Sequence, residues 1–244
     1  MLIINIYYLG ELLSFSFTIC FVLSPKIRTI LFLLFEVHSK KVLPMFFEFS
    51  PRVIEMIYEI AIVGRGGQGG VSMAKMMAYA AFLEGKHGSA IPKYGAERRG
   101  APVISSLRIS DKPLKLHSQI REPQHIIALE VGVIPKLIPP RKLGKGSIIA
   151  VNAVDIPEIV KQYEPEYVAY VDASNVARSV GLVRSGTPIA SVPMMAAFAK
   201  ASGILKKESL IKAVPKLVSD PKMQEINVKA IEKAFEETVV KKLE

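Results

Sequence analysis

The run Gly64-Arg65-Gly66-Gly67-Gln68-Gly69-Gly70 sets a G-x-G-x-x-G spacing at Gly64, Gly66 and Gly69. That spacing suits the capture of a phosphate by backbone N–H groups where a helix begins and its macrodipole is positive. The flanks fit this use. Ile57–Val63 alternates like a strand, and Val71–Glu84 carries Met, Ala, Phe and Leu at helical spacing before Gly85. A Cβ at Gly66 or Gly69 would obstruct a tight turn and the approach of a diphosphate. The same glycines would also serve a helix packed closely on a sheet, and Ala74, Ala78 and Ala81 suit that second use.

Beyond the helix the residues favour an anion other than a nicotinamide dinucleotide. Such a site needs a carboxylate about 20 residues past the glycines to hold the ribose hydroxyls, but His87–Tyr94 has none and the first is Glu97. The chain continues as Gly95-Ala96-Glu97-Arg98-Arg99-Gly100-Ala101-Pro102, a loop with two adjacent guanidinium groups. Arginine forks onto phosphate or carboxylate, each sheltered charge-assisted bond contributing about 1.5–3 kcal/mol. Residues 86–145 hold 12 Lys+Arg against 4 Asp+Glu, whereas 56–85 is neutral, so most of the chain's net charge of +10 lies just after the glycine run. That balance favours anionic ligands and partners. For single lysines such as Lys112, Lys115, Lys142 and Lys145, a solvated basic face is the simpler reading.

The elements that must hold these residues alternate between strand and helix. Further strands are predicted over Pro102–Ile109, His125–Leu129, Ser147–Val151 and Tyr167–Val171. Helices are predicted over Ile156–Gln162, Ala173–Val180, Ile189–Ala201, Lys207–Val214 and Lys222–Lys241. Pro215 should end or kink the fourth of these helices. Ile226, Ala230, Ala234 and Phe235 form the docking stripe of the last. The fold class is therefore a three-layer α/β/α domain with a largely parallel or mixed sheet over residues 56–244.

Residues 1–55 differ in kind, holding 10 of the 19 aromatics, one of the 16 glycines and neither Ala nor Asp. Their longest uncharged run, Leu12–Pro25, is 14 residues with four hydroxyl side chains, short of the roughly 20 a membrane span needs. Glu11 before the run and the missing alanine argue against a secretory signal. We read 1–55 as an extension outside the functional fold, upstream of a start at Met45 or Met56, in preference to a peripheral amphipathic anchor. A single cysteine, Cys20, excludes a disulfide framework or a cysteine-held cluster within this chain and points to a reducing cytoplasm.

Two spaced motifs, G-x-G-G-Q-G at 64–69 and G-x-E-R-R-G-A-P at 95–102, together with Gly85-Lys86 and the strand ending Arg108-Ile109, resemble the gamma subunit of pyruvate or 2-oxoisovalerate ferredoxin oxidoreductases. The resemblance spans essentially all of 56–244 and none of 1–55. The helix start near Pro188–Lys200 is also similar, but Ser191-Val192 and Ala196 depart from the family's usual Asn-Thr pair and Gly. The resemblance implies a reaction shared among alpha, beta, gamma and ferredoxin-like delta subunits: oxidative decarboxylation of a 2-oxoacid to acyl-coenzyme A, with ferredoxin as acceptor. Thiamine diphosphate, magnesium and iron–sulfur clusters would sit on the partners. No catalytic or metal-binding residue is assigned to this chain. It would help bind coenzyme A at a shared site and help assembly, through Gly64, Arg65, Gly66, Gly67, Gln68, Gly69, Glu97, Arg98, Arg99 and Gly100.

Two alternatives from other classes are weighed beside it. A nicotinamide dehydrogenase lacks the ribose carboxylate. A basic nucleic-acid-binding protein lacks a helix-turn-helix or an aromatic platform, so neither nucleic acid nor membrane is expected as a partner. His87, His117 and His125 lack metal-ligand spacing and read as surface or packing residues. Ser105 and Ser106 lack a nucleophile elbow, and Met73, Met76 and Met77 read as helix core.

Overall fold

A computed structural model of the chain describes residues 56–92, 100–115 and 118–243. Strand β1 (Ile57–Arg65) runs through the glycine turn into helix α1 (Gly70–Leu83), followed by β2 (His87–Pro92), β3 (Pro102–Ser110) and β4 (His125–Ala128). The short helices α2 (Ile134–Leu137) and α3 (Glu158–Lys161) flank β5 (Gly144–Asn152), and β6 (Pro165–Val171) leads into α4 (Ala173–Ser179). A small hairpin, β7 (Val183–Arg184) with β8 (Thr187–Pro188), precedes α5 (Ser191–Ser202), α6 (Lys207–Leu217), α7 (Pro221–Glu237) and β9 (Val239–Lys242).

The main sheet has the order β2-β3-β1-β4-β5-β6-β9. Strands β1, β4, β5 and β6 pair in parallel. Strand β3 lies antiparallel between β1 and β2, and β9 lies antiparallel on β6. Five strands thus point one way and two the other, which makes the expected sheet mixed and mostly parallel. Alternation along β1 separates two cores, as the two-residue period of a strand requires. Ile60 and Ile62 join Met77, Ala81 and Phe198 beneath α1 and α4–α7. Ala61 and Val63 join Ile126, Ile149 and Tyr163 beneath the thinner layer of α2 and α3. Each fully buried Ile or Met stabilises the fold by about 1.5–3 kcal/mol.

Several predicted boundaries are corrected. Helix α7 stops at Glu237 rather than Lys241, and the β-branched run Thr238-Val239-Val240 becomes extended to pair with β6. Thr238 turns its hydroxyl back to the Ala234 carbonyl, and Lys200 Nζ donates to the carbonyls of Glu236 and Thr238, satisfying the helix end. The expected stripe does dock, with Ala230 and Ala234 fully buried and Ile226 and Phe235 packed against them. Pro215 does not end α6, which reaches Leu217 because buried Val214 still accepts from Val218 N at 3.0 Å. Pro157 trims α3 to Glu158–Lys161. Strands β2, β7, β8 and β9 have no counterpart among the predicted elements.

Two buried polar side chains stand out within this frame. Arg108 on β3, 3% exposed, faces Glu59 on β1 with Nε–Oε1 at 2.7 Å and also donates to the Ser118 carbonyl. His125 at the start of β4 is 2% exposed, its two ring nitrogens have no hydrogen-bond partner among the described residues, and it packs edge-on to Phe198. Burial lowers its pKa to about 4. An unfolded histidine binds its proton near pH 6.5, so the unfolded chain gains protons that the folded one refuses. The contribution of His125 to stability is therefore expected to hold above pH 6.5, to fall by up to about 3 kcal/mol between pH 6.5 and 4, and to change no further below. Urea midpoints measured across that window should show the loss, and His125→Phe should flatten it.

Candidate functional site

The glycine turn leaves β1 at its carboxyl end, beside the end of β4, in the position where open α/β sheets place ligands. Helix α1 begins with Gly69 as its cap and no side-chain cap bond, and the N–H groups of its first turn have no intrahelical acceptor. Gln68 shapes the turn by accepting from Arg65 N at 2.7 Å and donating to Glu130 at 3.4 Å. Gly100 is tied to this turn. Gly66 N donates to the Ala101 carbonyl at 2.8 Å, and Gly100 N donates to the Gly66 carbonyl at 3.1 Å. Arg65 Nη1 donates to the Gly100 carbonyl at 3.2 Å, and its Nε lies 3.6 Å from Glu130.

The turn opens onto a cavity of about 1090 Å³, more than a drug-sized ligand needs. Arg65, Gly66, Gly67, Gln68, Gly69 and Gly100 all line it, so these sequence-predicted residues come together. Gly64 stands apart in the strand, where a Cβ would lie 2.8 Å from Gln68 Oε1 and 3.1 Å from Leu129. Glu97, Arg98 and Arg99 lie outside the described residues, as do Cys20, His117 and residues 1–55. Of the two uses open to the glycines, close packing is seen at Gly64 and Gly69. Gly69 has φ +87°, and a Cβ there would stand 2.7 Å from Ser191 Oγ, so close packing on α5 requires it.

The basic segment is distributed otherwise than its sequence suggests. Lys86 binds Glu84 and the Ile204 carbonyl, Arg108 binds Glu59, Arg141 binds Glu122 and the Pro123 carbonyl, and Lys142 pairs with Glu164. These cations brace the fold, and among the described residues none of them lines the cavity. The exposed pairs contribute little to stability. Met73, Met76 and Met77 are all buried in the core, as expected, and Met73 and Met76 also form part of the cavity wall. Ser105 and Ser106 lie within β3, with Ser106 Oγ accepting from Ile120 N at 3.1 Å. His87 is exposed. Sequence reasoning missed the hairpin wall, with Arg184 and Thr187, and the wall at Ser219 and Asp220; Ser185-Gly186 was its only turn signal. The dehydrogenase alternative finds no frame here, because antiparallel β3 separates β2 from β1 and β2 ends at Pro92 without a carboxylate. Among the described residues no three His, Cys, Asp or Glu side chains converge, and no helix is long and apolar enough to cross a membrane.

Fold and cavity together define an α/β chain whose glycine turn, at the head of a helix and at a sheet switch point, lines one large cavity. The chain belongs to the family described as pyruvate ferredoxin/flavodoxin oxidoreductase, which matches residues 59–237, and the resemblance carried by the two motifs is borne out. It is 39% identical over 188 residues to the pyruvate/ketoisovalerate oxidoreductases common subunit gamma of Thermococcus litoralis, covering 76% of this chain and 99% of that one. It is 38% identical over 156 residues to the pyruvate synthase subunit PorC of Methanosarcina barkeri, covering 64% and 84%. The crystal structure of pyruvate oxidoreductase subunit PORC from Thermotoga maritima superposes with a TM-score of 0.63 at 26% identity, over 76% of this chain and 99% of that chain.

Proposed function

We propose that residues 56–244 form the functional domain of a gamma subunit in a cytoplasmic 2-oxoacid ferredoxin oxidoreductase of the pyruvate type. There the chain itself is non-catalytic, and it helps to bind coenzyme A and to hold the assembly. The alpha, beta and ferredoxin-like delta subunits would carry thiamine diphosphate, magnesium and the iron–sulfur clusters, and ferredoxin would take the electrons. Names of relatives as oxidoreductase and synthase subunits support the assignment. The observation that carries the coenzyme A role is the glycine turn joined to Gly100 on the wall of one large cavity.

The fit to coenzyme A rests on the donors present. Backbone N–H groups at the head of α1 suit a diphosphate, and Arg98 and Arg99 precede Gly100 directly in the chain. Micromolar affinity needs about 8 kcal/mol, while a helix terminus supplies about 0.3–2 kcal/mol. The balance must come from arginines and from neighbouring subunits, so the site is shared. Chemistry at the 2-oxoacid stays with the partner chains, and this chain's residues bind and orient the acyl acceptor. Replacing Arg98 and Arg99 by Ala in the assembled enzyme is expected to raise the KM for coenzyme A about tenfold or more while assembly persists. Steady-state kinetics on the purified complex check this, and an unchanged KM with intact assembly would remove the pair from the site.

A further inference from the structure

The hairpin on the cavity wall makes no part of the glycine turn. In it Val183 faces Pro188 and Arg184 faces Thr187 across a two-residue turn. Ser185 and Gly186 have φ of 49° and 76°, the type I′ geometry whose twist holds both arms in register. Ser185 adopts the left-handed region without being glycine, a steric cost that persists only where surroundings impose it. The base of the hairpin is firmly seated. Leu182 is 1% exposed and donates to the Ala177 carbonyl at 2.8 Å, and Ile189 N donates back to the Leu182 carbonyl at 3.0 Å. Cross-strand partners project from one face, so Arg184 and Thr187 stand side by side, and both line the cavity that the glycine turn lines.

Charge isolates Arg184 among the described lining residues. Arg65 is engaged by Glu130 and by the Gly100 carbonyl. Asp220 is occupied as the cap of α7, accepting from Lys222 N at 3.0 Å. The Arg184 side chain has neither an ion pair nor a hydrogen bond within the described residues, and it is exposed on a hairpin arm whose base is buried. The lining also includes Met73, Met76, Met195 and Met223, soft side chains that adapt to an uncharged ligand body.

We propose that Arg184 and Thr187 form a second anion subsite in this cavity, one that takes a phosphomonoester dianion of the ligand whose diphosphate meets the glycine turn. A monoester offers three terminal oxygens, two for the parallel N–H groups of a guanidinium and one for a hydroxyl donor. This rests on the coenzyme A reading, and there the group is the ribose 3′-phosphate. Hairpin and turn then grip two separate phosphate positions of one molecule, which makes the cavity selective for the phosphorylated form.

The test compares coenzyme A with dephospho-coenzyme A, which lacks that phosphate, in the fully assembled enzyme. The KM ratio of dephospho-coenzyme A to coenzyme A is expected to be about tenfold or more in the unsubstituted complex. In Arg184→Ala it is expected to fall toward one. Arg184→Lys keeps charge but loses the fork, so an intermediate ratio is expected, and Thr187→Val lowers the ratio by a smaller factor. A ratio unchanged in Arg184→Ala, or a ratio near one in the unsubstituted enzyme, overturns the subsite. Failure of the underlying reading looks different. It shows as unchanged KM values for both compounds when Arg98 and Arg99 are replaced, and the subsite assignment falls with it.

Discussion

Gly88→Ala is expected to destabilise the domain by about 3 kcal/mol. A Cβ on Gly88 would lie 2.5 Å from the Ala78 carbonyl oxygen and 2.6 Å from its Cα. Both are backbone atoms of α1, so no rotamer change relieves the clash. Either β2 leaves the sheet edge or α1 lifts from the sheet, and lifting α1 moves the head of that helix, where the glycine turn sits. Urea unfolding should show a lower midpoint at an unchanged slope, and on the proposed role of the turn in coenzyme A binding the KM for coenzyme A should rise in the same variant. Gly132→Ala is the control, because among the described residues nothing lies within 4 Å of its added Cβ and its backbone is not left-handed. It should stay within about 0.5 kcal/mol of the parent. Equal stability of the two variants would show that strand and helix do not approach as closely as described.

Glu59→Ala has the second large expected effect, a loss of about 3 kcal/mol, at the lower end of the range for breaking a buried pair because Glu59 is itself 31% exposed. The cost arises at the partner. Among the described residues Arg108 would keep only the neutral Ser118 carbonyl as an acceptor while remaining 3% exposed. Removing both charges in Glu59→Ala/Arg108→Met should recover most of the loss, since no uncompensated ion is then left in the interior. Thermal and urea unfolding of the two single variants and the double variant form the cycle. A double variant no better than Glu59→Ala would mean that the pair itself, rather than the stranded guanidinium, accounts for the effect.

Both variants concern positions whose importance only folding displays. Gly88 reads in the sequence as an ordinary turn-type residue, and the contact that demands it comes from a helix ten residues earlier. Arg108 reads as one more cation of a basic stretch, and only the β1–β3 register sets it opposite Glu59. The strand, turn and helix at 57–83 were legible because period and glycines agree over a long segment. Strand β9 was not, because Lys241 and Lys242 continue the charge pattern of α7 and the switch at Thr238 depends on an edge of β6 far away in sequence. The candidate site was half legible. Its glycine wall announces itself by spacing, whereas Arg184 and Thr187 face each other through a four-residue local turn and join the cavity only by tertiary packing.

Strand β9 completes the sheet against β6, yet Tyr167 and its partner Lys242 are 75 residues apart. Closing so long an interval yields no reward until its last pairing forms, so β6 stays bare on its outer side through the early collapse of the chain. A naked strand edge at that stage is a template for pairing with other molecules. The strand that finally covers it ends in two lysines, Lys241 over the Tyr170 ring and Lys242 beside Glu166, and charged side chains of this kind on the new rim discourage the next chain from adding itself.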